Sequence, residues 1–169
     1  MTTIKRQTLS VLVENRSGVL ARVAGLFSGR GFNIASLTVG ETEDPELSRM
    51  TIVVEADHRM LEQVVKQLRK IIETVKVEDF SCRPFVSSEL LMVKVAATAS
   101  QRSEVMDLVN IFNGKVVDID TASLTIRFVG ETVLLDDLVE VLRPYGLKEL
   151  ARTGTVAMAR ESKTRSAGE

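Results

Sequence analysis

Leu9, Val11 and Val13 fall on alternate positions, with Thr8 or Ser10 off that face, so Gln7–Val13 reads as a strand with one buried face. The period then changes. Val19, Leu20, Val23, Ala24 and Phe27 follow the i, i+3/i+4 spacing of an amphipathic helix. Asn15, Arg16, Ser17 and Gly18 favour turns and caps, which predicts a helix start at Ser17 or Gly18. Gly29 and Gly31 are placed to stop the helix in the left-handed conformation open to glycine. Phe32–Val39 reads as a second strand, followed by an acidic turn, 40–46, that contains Pro45. Met50, Ile52, Val54 and Ala56 define a third strand, and Asp57 suits the cap of the next helix. That helix has Leu61, Val64, Val65, Leu68, Ile71 and Ile72 on its apolar face, with Glu62, Lys66, Arg69 and Lys70 outside. Val75–Phe80 supplies a fourth strand.

A second cycle repeats this order. Arg83-Pro84 and paired serines mark residues 81–88 as a linker. Leu91, Val93 and Val95 share a strand face, and Ser100 or Ser103 could cap a helix carrying Val105, Leu108, Val109 and Phe112. Lys115–Asp120 and Leu124–Val129 read as a hairpin, and Thr132 opens a helix that ends at Pro144-Tyr145-Gly146. Leu147–Arg152 and Thr155–Ala159 are extended, and 161–169 lacks large apolar residues and reads as a tail. The fold class expected is therefore α+β, two ferredoxin-like βαββαβ domains at 1–80 and 89–160, each a four-stranded antiparallel sheet with two helices on one face. Leu12, Thr51 and Val53 point away from the Val11 and Ile52 face, leaving both faces of the first sheet partly apolar and favouring a dimer.

Composition narrows the function classes. The net charge of −1 over 169 residues gives no field that would attract nucleic acid, and 4% aromatic content without Trp offers no base-stacking platform. No apolar run suits a signal peptide or a membrane span, so a soluble cytoplasmic protein is expected. Cys82 is the only cysteine, which excludes an intrachain disulfide and a multi-cysteine zinc site. His58, the only histidine, sits at a strand-to-helix turn and reads as solvated. Gly25, Gly29 and Gly31 lie within and after a helix, where a dinucleotide-binding loop would need them between strand and helix. The acidic turn reads as a solvated loop. No catalytic constellation and no metal cluster emerges.

The turn at 15–18 is the candidate with chemistry. A helix start presents unpaired backbone N–H groups and a partial positive charge, which suits a carboxylate. On residue types alone a plain capped helix is the simpler reading. The full arrangement, Leu9–Leu20 followed by Gly31-Phe-Asn-Ile-Ala-Ser-Leu-Thr-Val39 and Leu47-Ser-Arg-Met-Thr-Ile52, resembles an ACT domain. More narrowly, it is similar to the acetolactate synthase (acetohydroxyacid synthase) small regulatory subunit family. Leu61–Leu68, Glu89–Val95 and Arg152–Arg160 continue the likeness, which spans residues 7–160.

The resemblance implies a homodimer through the first domain, with a branched-chain amino acid, usually valine, bound at its interface. Carried over by position, Asn15, Ser17, Gly18, Val19 and Leu20 of one chain would face Asn33 and Ile34 of the other. The resemblance also implies an allosteric subunit without its own catalytic residues or metal. It would activate a separate catalytic subunit, a transferase expected to hold thiamine diphosphate, Mg²⁺ and FAD, and make it sensitive to feedback inhibition. The alternative is a free-standing amino-acid-binding regulator of another enzyme or of transcription; the absence of a helix-turn-helix and a basic patch disfavours the transcriptional form.

Overall fold

The computed structural model describes residues 4–161, and the chain divides into two compact units, 1–86 with 157–169 and 87–156. In the first unit the order is β1 (Lys5–Glu14), α1 (Val19–Ser28), β2 (Ile34–Glu41), β3 (Leu47–Ala56), α2 (His58–Leu68) and β4 (Thr74–Asp79). The sheet order is β2-β3-β1-β4, all antiparallel. Alternation decides the core face: Leu9, Val11 and Val13 of β1 and Met50, Ile52 and Val54 of β3 are buried under the helices. Val19, Val23 and Phe27 of α1 and Leu61, Val64, Val65 and Leu68 of α2 close over them. This is the β-α-β-β-α-β order predicted.

The second unit repeats the plan with β5 (Phe85–Ala96), α3 (Arg102–Ile111), β6 (Lys115–Asp120), β7 (Ser123–Gly130), α4 (Thr132–Leu142) and β8 (Leu147–Arg152). Its sheet order is β6-β7-β5-β8, and a short β9 (Val156–Ala159) pairs with β5. Leu91, Val93, Val95, Leu124, Ile126 and Phe128 form the sheet side of a separate core. The fold class is the expected α+β pair of ferredoxin-like repeats.

The differences are local and physical. β5 begins at Phe85, inside the 81–88 stretch read as a linker, and Phe85 stacks on Phe80 with ring centroids 5.1 Å apart. α2 stops at Leu68, three residues short of Ile71, and Ile72 is 91% exposed. Gly29 ends α1 in a right-handed conformation (φ −66°), and only Gly31 is left-handed (φ +70°). Neither Ser100 nor Ser103 caps α3, whose first residue follows Gln101, whereas Asp57 caps α2 as expected by accepting from the Met60 N–H. Thr51 and Val53, expected on a free sheet face, are buried, and Thr51 Oγ1 accepts the Ala157 N–H at 3.2 Å. The chain's own β9 residues cover part of that face, so it does not by itself call for a partner. Of the tail expected at 161–169, only Glu161 lies among the described residues.

Candidate functional site

The start of α1 is built without a side-chain cap. Gly18 is the N-cap residue at φ +87°, ψ −12°, and no side chain bonds the first-turn N–H groups. Ser17, a residue suited to capping, is exposed in the preceding turn and does not serve as one. First-turn N–H groups have no acceptor four residues back within a helix. The Val19 N–H finds the Arg16 carbonyl at 3.4 Å, a long contact. The first turn contains no acidic residue, so nothing there competes for the positive end of the helix dipole. A Cβ at Gly18 would meet nothing within 4 Å, so the approach to the N–H groups is open.

The loop leading to this start is held from two sides. Asn15 Nδ2 donates to Glu41 Oε1 at 3.1 Å and to the Pro45 carbonyl at 2.9 Å, and its backbone N–H donates to the Glu46 carbonyl. Both amide donors of Asn15 are thus engaged, and its Oδ1 is the acceptor left for a ligand. The acidic turn 41–46, read as solvated from the sequence, is tied in: the Thr42 N–H donates to the Leu47 carbonyl at 3.1 Å and the Glu46 N–H to Asp44 Oδ1 at 2.9 Å. On the other side, Glu73 accepts the Glu14 N–H at its carbonyl (2.9 Å) and pairs through its carboxylate with Arg22 of α1. Sequence reasoning missed Glu41, Glu73 and Arg22, because no local pattern shows which distant carboxylate a turn residue will meet.

Of the remaining predicted residues, Val19 is buried in the core while Leu20 is 45% exposed beside it. Asn33 is exposed just before β2, and its carbonyl accepts the Glu55 N–H at 3.4 Å. Ile34 opens β2 opposite Val54 and packs partly against the core. Within one protomer these residues do not meet Asn15–Leu20. They follow the far end of the ten-residue α1, about 15 Å away at 1.5 Å per residue. β2 is an edge strand, and Val39 on it is 40% exposed. Among the described residues no group of three or more His, Cys, Asp or Glu side chains is arranged to hold a metal ion.

Comparisons with known proteins cover both units. Residues 9–76 match the family described as AHAS small subunit-like ACT domain, and residues 88–161 match the small subunit of acetolactate synthase. The chain is 51% identical to a probable acetolactate synthase small subunit of Archaeoglobus fulgidus, covering 94% of this chain and 99% of that one. It is 50% identical to the acetolactate synthase small subunit of Mycolicibacterium smegmatis over 90% of each. The crystal structure of the acetolactate synthase small subunit from Thermotoga maritima superposes with a TM-score of 0.85 at 39% identity, covering 94% of this chain and 99% of that one.

Proposed function

The chain belongs to the acetolactate synthase small-subunit family, and on that premise we propose that it activates a catalytic subunit and renders it sensitive to valine. The holoenzyme works in branched-chain amino-acid biosynthesis in the cytoplasm, and thiamine diphosphate, Mg²⁺ and FAD reside on the catalytic partner. The observation that carries the effector site is the uncapped, open helix start at Gly18 with no acid in its first turn. The effector's carboxylate sits on the N–H groups from Gly18 onward, and its ammonium meets Asn15 Oδ1. The two halves of the site lie at opposite ends of α1, so a second copy must bring its Asn33 and Ile34 to the Gly18 loop. Pairing through the β2 edge achieves this and also covers the exposed Leu20 and Val39.

The magnitudes suit a metabolite sensor. Burying the isopropyl group between Leu20 and Ile34 contributes roughly 1.5–3 kcal/mol. Each charge-assisted hydrogen bond adds about 1.5–3 kcal/mol, against an association cost of roughly 4 kcal/mol or more. The balance gives an affinity on the order of micromolar to millimolar. Valine inhibits by linkage, binding more tightly to the dimer state that holds the catalytic subunit inactive. Calorimetric titration of the dimer with valine, repeated on Asn33→Ala, tests this reading. Saturable binding that the substitution abolishes is expected; binding untouched by it would move the site elsewhere.

A further inference from the structure

The acidic end of β2 breaks the pattern of its own strand. Leu37 and Val39 lie opposite Ile52 and Met50, so their row faces the helix-side core. Glu41, opposite Ser48, continues that row where alternation calls for an apolar residue. Departures from a local rule of this kind fall mainly at functional positions. The basic residues nearest in sequence to the start of α1, Arg16 and Arg22, pair with Glu14 and Glu73. Glu41 has no cation of its own among the described residues, and a hydrogen bond to Asn15 ties it to the effector loop.

That bond fixes which way the Asn15 amide is turned. Nδ2 donates to Glu41 Oε1 at 3.1 Å and to the Pro45 carbonyl at 2.9 Å. Both partners only accept, so turning the amide over would set oxygen against oxygen twice. Asn15 Oδ1 is the acceptor left over, and the amide contact uses one of roughly four acceptor positions on the Glu41 carboxylate. The loop thus carries two opposite poles. The uncapped start of α1 is the positive one, and Glu41 with Asn15 Oδ1 is the negative one. The β2 pairing proposed above, being twofold, runs the two strands antiparallel and would bring the Glu41 end of one beside the Ile34 end of the other. Water excluded by that contact strengthens the charge interactions beneath it.

We propose that Glu41 sets the charge requirement of the effector site. It holds Asn15 with Oδ1 available to the effector's ammonium, and its own carboxylate is the ammonium's counter-charge. The helix start by itself takes any small carboxylate. With Glu41 beside it, a ligand that carries only a carboxylate meets repulsion at the second pole, whereas a zwitterion satisfies both. The site therefore selects an α-amino acid over the carboxylic acid of the same branched skeleton. This selectivity rests on the effector site proposed at Gly18.

The test follows the Gly18 N–H signal by NMR while the full chain is titrated with valine and with 3-methylbutanoate, which is valine without its amino group. Wild type should prefer valine by at least about tenfold. Glu41→Gln, whose amide oxygen can still accept from Asn15, should weaken valine binding by about tenfold. Glu41→Lys should weaken valine further and strengthen 3-methylbutanoate, so that the preference falls or reverses at an unchanged melting temperature. A loop merely disordered by the substitutions would weaken both ligands in proportion, and that result would overturn the proposal. So would valine affinity untouched in Glu41→Gln, or 3-methylbutanoate binding no better to Glu41→Lys than to wild type. Each of these leaves valine binding by the wild-type chain intact. A wild-type chain whose Gly18 signal moves with neither ligand would overturn the effector site itself, and this selectivity with it.

Discussion

Gly18 holds a left-handed φ of +87° with open space where a side chain would project, so substitutions there separate backbone cost from ligand chemistry. Any Cβ at this φ costs roughly 1–2 kcal/mol, but Asn tolerates the conformation better than most residues. Asp and Asn match in size and differ in charge. On the proposed assignment, Gly18→Asp should therefore abolish inhibition by valine, because it puts a carboxylate where the effector's carboxylate would bind, while Gly18→Asn retains part of it. Equal inhibition curves for the two variants in the reconstituted holoenzyme would refute the assignment. Glu78 supports a different prediction. Lys76, by hydrogen bond and charge, and then Arg83 hold its carboxyl below the ordinary carboxylate value, against a desolvation effect that raises it. Its side chain is only 10% exposed, and Lys76 and Arg83 lie at 3.0 Å. A group whose folded pKa is lowered stabilises above its unfolded pKa and loses that contribution as pH falls through the folded value. Glu78→Gln should cost about 1 kcal/mol near neutral pH, the partners being half exposed to solvent. The difference from wild type should be smaller at acidic than at neutral pH, shrinking as pH falls below the ordinary glutamate value and through the lowered folded one. Urea midpoints at the two pH values measure it.

At the scale of elements, the start of α1 is set by contacts remote in sequence. Glu73 grips both ends of the loop that precedes it, through the Glu14 N–H and through Arg22. One carboxylate oxygen of Glu73 is buried with no hydrogen-bond partner, so Arg22 is its main compensation. Removing Arg22 leaves that charge poorly compensated, and removing Glu73 frees the loop. Glu73→Ala should speed amide exchange at residues 14–19 without valine and weaken valine binding by about tenfold, and the swap Arg22→Glu/Glu73→Arg should restore part of both. Unchanged exchange would show that the pair is ornamental. The elements themselves were largely legible in the sequence because strand alternation and turn residues agreed: β6 and β8 have the predicted bounds, and Asp57 caps α2. Helix ends were less legible. Ile71 and Ile72 continue the helical spacing, yet only Ile71 packs against the core, because the chain turns after Leu68 to enter β4. The candidate loop stood out at Gly18 and Asn15 from turn chemistry aided by the family likeness, and the structure puts Gly18 at the uncapped start of α1. The partners that orient the loop come from β2, the acidic turn and the α2–β4 connection, and no periodicity encodes such pairings.

For the whole molecule, the first unit includes more than its βαββαβ repeat. Phe85 stacks on Phe80, the Arg160 N–H donates to the Pro84 carbonyl at 3.0 Å, and Ala157 donates to Thr51 on the outer sheet face. The carboxyl-terminal segment therefore completes the amino-terminal unit, although more than 60 residues of the second unit intervene in sequence. A fragment ending at Phe80 keeps the helix-side core, the Gly18 loop and the β2 edge, but it bares Thr51, Val53 and Phe80. Uncovering apolar and buried polar surface of this kind should lower its unfolding free energy by about 2–4 kcal/mol relative to the first unit in the intact chain. The proposed valine site and dimer edge belong to the parts retained, so binding and dimerisation should both persist in the fragment below its melting temperature, measured by calorimetry and sedimentation. We propose that the second unit supplies the surface that activates the catalytic subunit, so activation should be lost in the fragment. A fragment that still activates fully would place the activating surface within the first 80 residues and leave the second unit without that role. A fragment that neither dimerises nor binds valine while remaining folded would instead show that the covering segment shapes the effector site from the opposite face of the sheet.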